Sequence, residues 1–293
     1  MGANAMQQIN NEYQSRINMV LEYIDENFAE QMDIDKLSKV ACFSPFHFHR
    51  IFKGIVGESI ISYLRRIRLE RAAILLNIHK NKAILDIAIE CGFSGAAVFN
   101  RCFISYFGIS PSSFRNNDCL KAKHVENENK NKKYINLNEV NIRIENTKGM
   151  NVIFLKCFKG YENYIFKVFE TLWEYAFQNG LVNKHTQAIG IPYDSSVITK
   201  SNQCRFDACL TIETPIQTTG EIGCKYIEGG TYLVASSVGD TQHIINIYDY
   251  LYGQWLPNSK YLPANRPMYH IMKPLNNQSV ITQFDFQIYI PLE

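Results

Sequence analysis

Two stretches of this chain set polar and basic side chains at helical spacing, the first with imidazoles and aromatics among them. The first is Ser44-Pro45-Phe46-His47-Phe48-His49-Arg50-Ile51-Phe52-Lys53, and the second runs from Ser94 through Ala96, Ala97, Asn100 and Arg101. An arginine on a helix suits bidentate contact with guanine in a major groove, worth about 1–3 kcal/mol of discrimination per good pair. Phe46 suits a thymine methyl, His47 and His49 flank Arg50, and Lys53 suits a phosphate. Helix N-termini at Ser44 and Ser94 add free N–H groups for phosphate oxygens. The plain alternative for either arginine is a surface ion pair. For the second stretch, Ala96 and Ala97 are too short to read bases, which points to backbone contact there.

The elements that position these side chains follow from turns and periodicity. Cys91-Gly92-Phe93-Ser94 reads as a turn, with Ser94 expected to cap a helix that runs to Phe107. Val98, Phe99, Cys102, Phe103 and Tyr106 form the apolar face of that helix, and Gly108 ends it. With Ala83–Glu90 before it, expected to bury Ile84, Leu85, Ile87 and Ala88, this is a helix-turn-helix plan. Periodicity alone leaves an ordinary helical hairpin open. An upstream copy favours the first reading: Asp33 caps a helix holding Ile34, Leu37 and Val40, Ala41-Cys42-Phe43 turns, and Ser44-Pro45 opens a helix that Gly57 closes. A helix at Glu12–Phe28 precedes this copy. A long helix from Ser59 to Ile78 joins the copies, with Ile60, Ile61, Leu64, Ile67, Leu69, Ala72, Leu75 and Leu76 apolar. Its Arg65, Arg66, Arg68 and Arg71 are either phosphate contacts or partners of Glu58, Glu70 or Asp86.

A length of 293 residues favours two domains, and 46% hydrophobic with 20% charged residues is a globular composition. No run is long enough to span a bilayer and no basic-then-apolar leader opens the chain, so a cytoplasmic protein without a membrane partner is expected. Eight cysteines include no CxxC pair, which argues for a reducing compartment and for neither a structural metal nor a cofactor. Net charge is +2, with 15 basic and 12 acidic residues in the first 125 and 15 and 16 in the remainder. Clustering therefore says more about nucleic acid than the total does.

From Asn116 the composition turns polar, and Asn127–Lys133 has no apolar residue, which reads as a linker. Strand-like runs follow at Val140–Ile144, Asn151–Phe158, Phe206–Glu213, Tyr226–Val238, Met268–Lys273 and Phe284–Pro291, with helical runs at Tyr164–Asn179 and Gln242–Trp255. Gly160-Tyr161, a helix with Trp173 and the strand Phe206-Asp207-Ala208 have a parallel in Gly239-Asp240, a helix with Trp255 and Phe284-Asp285-Phe286. That recurrence predicts a duplicated strand-helix-hairpin unit with a ligand cleft between its halves.

The first part resembles the DNA-binding domain of the AraC/XylS family of transcription regulators. The match rests on the stretch Ser44–Lys53 with Gly57, Tyr63, Arg68 and Ala72. Downstream it rests on Ile87-Ala88, Gly92-Phe93, Phe99, Arg101, Phe103, Phe107-Gly108, Ser110-Pro111 and Phe114-Arg115. The second part looks like a GyrI-like effector-binding domain, on Ala188–Ile191, Arg205–Cys209, Glu228–Tyr232, Tyr248–Tyr252, Trp255-Leu256-Pro257, Arg266–His270 and Ile288–Leu292. In such domains that capture cations, the resemblance implies a Glu one residue after the aromatic of the Pro-x-aromatic stretch. Here His270 stands in that place, which turns the expectation toward neutral or weakly acidic ligands.

The expected architecture is an all-α domain over 8–117 with two helix-turn-helix motifs joined by a long helix, a linker over 118–133, and an α+β domain over 134–293. The expected function is ligand-responsive transcription regulation, with double-stranded DNA, RNA polymerase and a small-molecule effector as partners. Phe154, Trp173, Tyr193, Phe206, Trp255, Tyr269 and His270 are the cleft candidates, each with plain core packing as its alternative. Two other readings of the C-terminal part stand beside sensing: a small hydrolase using Glu174 or His270, and a protein-interaction module.

Overall fold

The computed structural model describes residues 3–116, 140–157, 165–194, 198–199, 203–218, 220–264, 266–274 and 283–293. These form two compact units, one helical over 3–116 and one built on a sheet within 140–293. The expected linker 118–133 and the Gly160-Tyr161 pair lie outside the described residues.

The helical unit opens with α1 (Ala3–Asn27), which starts well before the expected Glu12 and buries Ile17, Val20, Leu21 and Ile24 completely. The short α2 (Ile34–Val40) is capped by Asp33, whose side chain accepts from the Lys36 amide at 2.7 Å. Next comes α3 (Pro45–Val56). Ser44 caps it through the His47 amide, Pro45 opens it, and Gly57 closes it at φ 91°. Phe48 and Phe52 point inward, and Phe52 meets Tyr63 of α4 (Ile60–Ile78) edge-on at 5.6 Å. The downstream copy follows as α5 (Ile84–Glu90) and α6 (Ala96–Phe107), the latter closed by Gly108 at φ 78°. Phe93, Phe99 and Phe103 pack there with Leu69, Leu76, Ile87 and Cys91. A last short helix, α7 (Pro111–Asn116), adds Phe114 against Phe103 at 5.3 Å.

Three local expectations fail for geometric reasons. Ile61 and Leu85 are 55% and 49% exposed, because each stands two residues, more than half a turn, from the buried positions Tyr63 and Ile87. Ser94 does not cap α6: the cap position is Gly95, with no side-chain hydrogen bond. Val98 and Tyr106 lie at the margin of the buried stripe, which Phe99 and Phe103 fill.

The second unit is a fully antiparallel eight-stranded sheet with the order β1-β6-β8-β7-β3-β4-β2-β5. Its strands are β1 (Asn141–Thr147), β2 (Met150–Cys157), β3 (Ala188–Pro192), β4 (Phe206–Ile212), β5 (Ile222–Ile227), β6 (Gly230–Gly239), β7 (Tyr269–Pro274) and β8 (Phe284–Pro291). The expected single run Tyr226–Val238 is two strands, divided at Glu228-Gly229. A Cβ on Gly229 would stand 2.5 Å from the Thr147 carbonyl, so that turn needs glycine. The helix α8 (Ile165–Gln178) covers β2 and β4 through Leu172 and Ala176. The helix α9 (Thr241–Tyr250), prolonged by a π turn at Leu251–Trp255, covers β6 and β8 through Ile244, Ile247 and Leu251. The groups β5-β2-β4-β3 and β1-β6-β8-β7 meet along β3 and β7, where the ladder holds two pairs, Ile189–Ile271 and Gly190–His270.

Candidate nucleic-acid interface and ligand site

In the helical unit, α3 and α6 each bury one aromatic stripe and expose the other side. On α3, Phe46, His47, Arg50 and Lys53 are exposed and His49 is half-buried. Phe46, 62% exposed, carries the Arg50 guanidinium over its ring at 4.5 Å. Such a cation–π contact favours one setting of the planar fork. On α6, Ala96, Ala97, Asn100 and Arg101 are exposed, and Ser94 is exposed ahead of the helix. Arg50 and Arg101 stand at the same distance before the closing glycines Gly57 and Gly108.

The four arginines of α4 separate into different roles. Arg66 is 5% exposed and pairs with both Glu58 and Glu70, and Glu70 also accepts from Tyr106 Oη on α6 at 2.6 Å. Burial, then the bond to Glu70, raises the Tyr106 hydroxyl above its ordinary pKa. Arg68 donates to the carbonyls of Phe28 (2.8 Å) and Glu30 (2.5 Å), tying α4 to the segment after α1. Arg66 thus takes the ion-pair alternative with Glu58 and Glu70, and Arg68 braces the helical unit through backbone carbonyls. Arg65 is exposed and Arg71 half-buried.

In the sheet unit, strand alternation sorts the cleft candidates onto two faces. Phe206 and Trp173 lie on the helix-covered face with α8, and Trp255 lies there beside α9, stacked on Tyr261 at 6.2 Å. Phe154, Tyr193 and Tyr269 lie on the opposite face, where Tyr269 stacks on Tyr289 at 4.5 Å and meets Tyr232 at 5.4 Å. One cleft therefore does not collect all seven residues. His270 follows Tyr269 and points the other way, toward the helices. Its ring lies 5.8 Å from that of Phe206, and its Nδ1 is 3.4 Å from Tyr248 Oη of α9. Only 8% of it is exposed, and Nε2 has no partner among the described residues. Burial lowers its pKa to about 4, so the imidazole is neutral at neutral pH. Gly190 leaves room for it, since a Cβ there would stand 2.3 Å from His270 Nε2 and 2.5 Å from Phe206. Glu174 is exposed on α8, so it does not share the buried surroundings of His270.

The opposite face holds a charge cluster absent from the expected site. Asp207 accepts from Tyr193 Oη at 2.9 Å and pairs with Lys156 at 3.4 Å and with Lys225. Burial pushes the Asp207 carboxyl upward, but the two ammonium groups outweigh it and hold the pKa below the ordinary value. The Lys225 ammonium lies over Phe154 at 4.3 Å, and Arg205 pairs with Asp194 at 2.7 Å while lying over Tyr193 at 5.2 Å. The signal was present in the sequence: Lys156 stands two residues from Phe154, and Asp207 sits between Phe206 and Ala208, so each charge has a readable face.

A helical unit presenting two matched helices, with a separate sheet unit carrying buried polar groups, defines a class: helix-turn-helix proteins with a small-molecule-binding domain. The chain belongs to the AraC-type helix-turn-helix family and, over residues 140–293, to the family described as GyrI-like small molecule binding domain. Residues 37–117 match the helix-turn-helix domain. Among its relatives is the bifunctional transcriptional activator/DNA repair enzyme AdaA of Bacillus subtilis (strain 168). It is 37% identical over 114 residues, 39% of this chain and 53% of AdaA, so the chain spans about half the length of that relative. The probable transcription factor PqrA of Proteus vulgaris is 34% identical over 110 residues, 37% of this chain and 89% of PqrA. A cryo-EM structure of an EcmrR–DNA complex in EcmrR-RPo aligns with TM-score 0.46 and 13% identity, covering 89% of this chain and 99% of that one. No helix among the described residues is long and apolar enough to cross a membrane.

Proposed function

We propose that this protein is a cytoplasmic, ligand-responsive transcription regulator, with a DNA-binding domain over 8–117, a linker over 118–133 and an effector-binding domain over 134–293. The observation that carries the reading is the matched exposure of Arg50 on α3 and Arg101 on α6, each on the outer side of a helix closed by glycine. Helices α3 and α6 enter successive major-groove segments on one side of the duplex, about 34 Å apart, with the 19-residue α4 between them. Phe46, His47, His49 and Arg50 read bases there. Lys53, Ser94, Ala96, Ala97, Asn100 and Arg101 lie along the backbone. The names of AdaA and PqrA support the regulatory reading, and RNA polymerase is the second macromolecular partner.

The sheet groups β5-β2-β4-β3 and β1-β6-β8-β7 are the two copies of a duplicated strand-helix-hairpin unit. The effector enters on the helix-covered face at their seam, against Phe206 and His270, with Trp173 and Trp255 on the flanking helices. It acts by favouring one global state over another. Selection of full-length protein on a random duplex pool, then gel shifts, tests the first half. A consensus with two half-sites one helical turn apart is expected. No retained DNA at any salt below physiological would overturn the reading.

A further inference from the structure

A polar atom buried without a partner costs about 1–3 kcal/mol, and native structures retain few of them. Among the described residues His270 Nε2 is such an atom, and it lies at the centre of the sheet, where an apolar residue would pack at no such cost. The ring rests over the bare backbone of Gly190, beside Phe206. Its Nδ1 lies 3.4 Å from Tyr248 Oη, at the long limit of a hydrogen bond, so Nε2 is the ring nitrogen left for an entering group.

We infer that the seam takes an uncharged, flat aromatic molecule bearing a hydroxyl, the hydroxyl bonded to His270 Nε2 and the ring packed against Phe206. The inference rests on the effector site proposed above and adds the chemical class of its ligand. A hydroxyl donates to a bare Nε2 when the ring proton sits on Nδ1, the nitrogen that faces Tyr248 Oη. A cation gains nothing here: the imidazole is neutral, and the buried carboxylate Asp207 lies on the other face with Lys156 and Lys225. A carboxylate ligand would call for imidazolium, which burial opposes.

Calorimetric titration of the full chain with phenol, anisole and benzyltrimethylammonium tests this, with the His270 side chain followed by NMR on isotope-labelled histidine. Phenol should shift the His270 Nε2 resonance and bind about tenfold more tightly than anisole, which lacks the hydroxyl hydrogen. His270→Phe, checked for folding by its melting curve, should erase that preference, and His270→Gln should keep part of it. Equal binding of phenol and anisole would overturn the inference, as would phenol binding that leaves His270 unchanged. If benzyltrimethylammonium alone binds and moves His270, the effector site stands and the ligand class falls. If none of the three moves it, both fall.

Discussion

The two helix-turn-helix motifs make the same turn under different constraints. In the first, Cys42 N–H donates to Lys39 O at 3.0 Å and Phe43 N–H to Ser38 O at 2.9 Å. In the second, Gly92 donates to Ile89 O at 2.9 Å and Phe93 to Ala88 O at 3.0 Å. Both turn residues have positive φ, 52° for Cys42 and 78° for Gly92. Cys42 is exposed and tolerates a side chain there, whereas Gly92 lies against the chain after α1, where a Cβ would stand 2.6 Å from Ala29 O and 2.9 Å from Arg68 Nε. Hydrogen bonding defines a turn, but neighbouring packing decides which residue can occupy it. The helices that follow differ as well. Ser44 and Pro45 start α3, whereas α6 starts from Gly95 without a side-chain cap.

The largest expected effect is at the second turn. Gly92→Ala should lose more than about 3 kcal/mol of stability, because it meets both a disfavoured φ and the Ala29 carbonyl oxygen, which lies between the Phe28 and Glu30 carbonyls that Arg68 bonds. Cys42→Ala should change stability little. Denaturant unfolding of both variants measures the contrast, and equal losses would break it. Next in size is the contrast in DNA reading. Arg50→Ala should lose about 1–3 kcal/mol of discrimination at one base pair. Arg101→Ala should weaken all sequences alike and lower the salt slope by about one. Competition gel shifts at several salt concentrations separate the two, and loss of sequence preference from Arg101→Ala would reverse the assignment.

Ser44→Ala should cost about 1 kcal/mol through the lost cap on α3, while Ser94→Ala should stay within about 0.5 kcal/mol. Thermal melts read this difference, and a large loss at Ser94 would mean that it caps α6 after all. The smallest effect is Cys42→Gly, expected to gain about 0.5 kcal/mol as relief of positive φ exceeds the added freedom of the unfolded chain. A destabilised Cys42→Gly would show that the thiol packs usefully at the first turn.

Much of this was readable along the chain. Capping by Asp33 and Ser44, closure by Gly57 and Gly108, and the change from helical to alternating periodicity after residue 140 are signals within a few residues of one another. Helix faces were less certain at their margins, because Ile61 and Leu85 are as apolar as their buried neighbours and only packing partners separate them. For the ligand site, residue types were legible but their grouping was not. Alternation places Tyr269 and His270 on opposite faces, yet nothing local says which face the helices cover.

By itself the sequence determined the type and order of most elements, the two copies of the helix-turn-helix, and the families to which the two parts belong. Those depend on propensity, caps and periodicity, which act over a turn or a few strand residues. Tertiary structure alone decided that Arg66 and Arg68 brace the helical unit, that Gly92 must be glycine, and that Asp207 gathers two lysines on the face away from the helices. It also placed Nε2 of His270, which has no partner among the described residues, over Gly190. Apart from the pairing of Arg66 with Glu58 and Glu70, each of these joins residues far apart in the chain, and such contacts follow from register and packing, which no local pattern encodes.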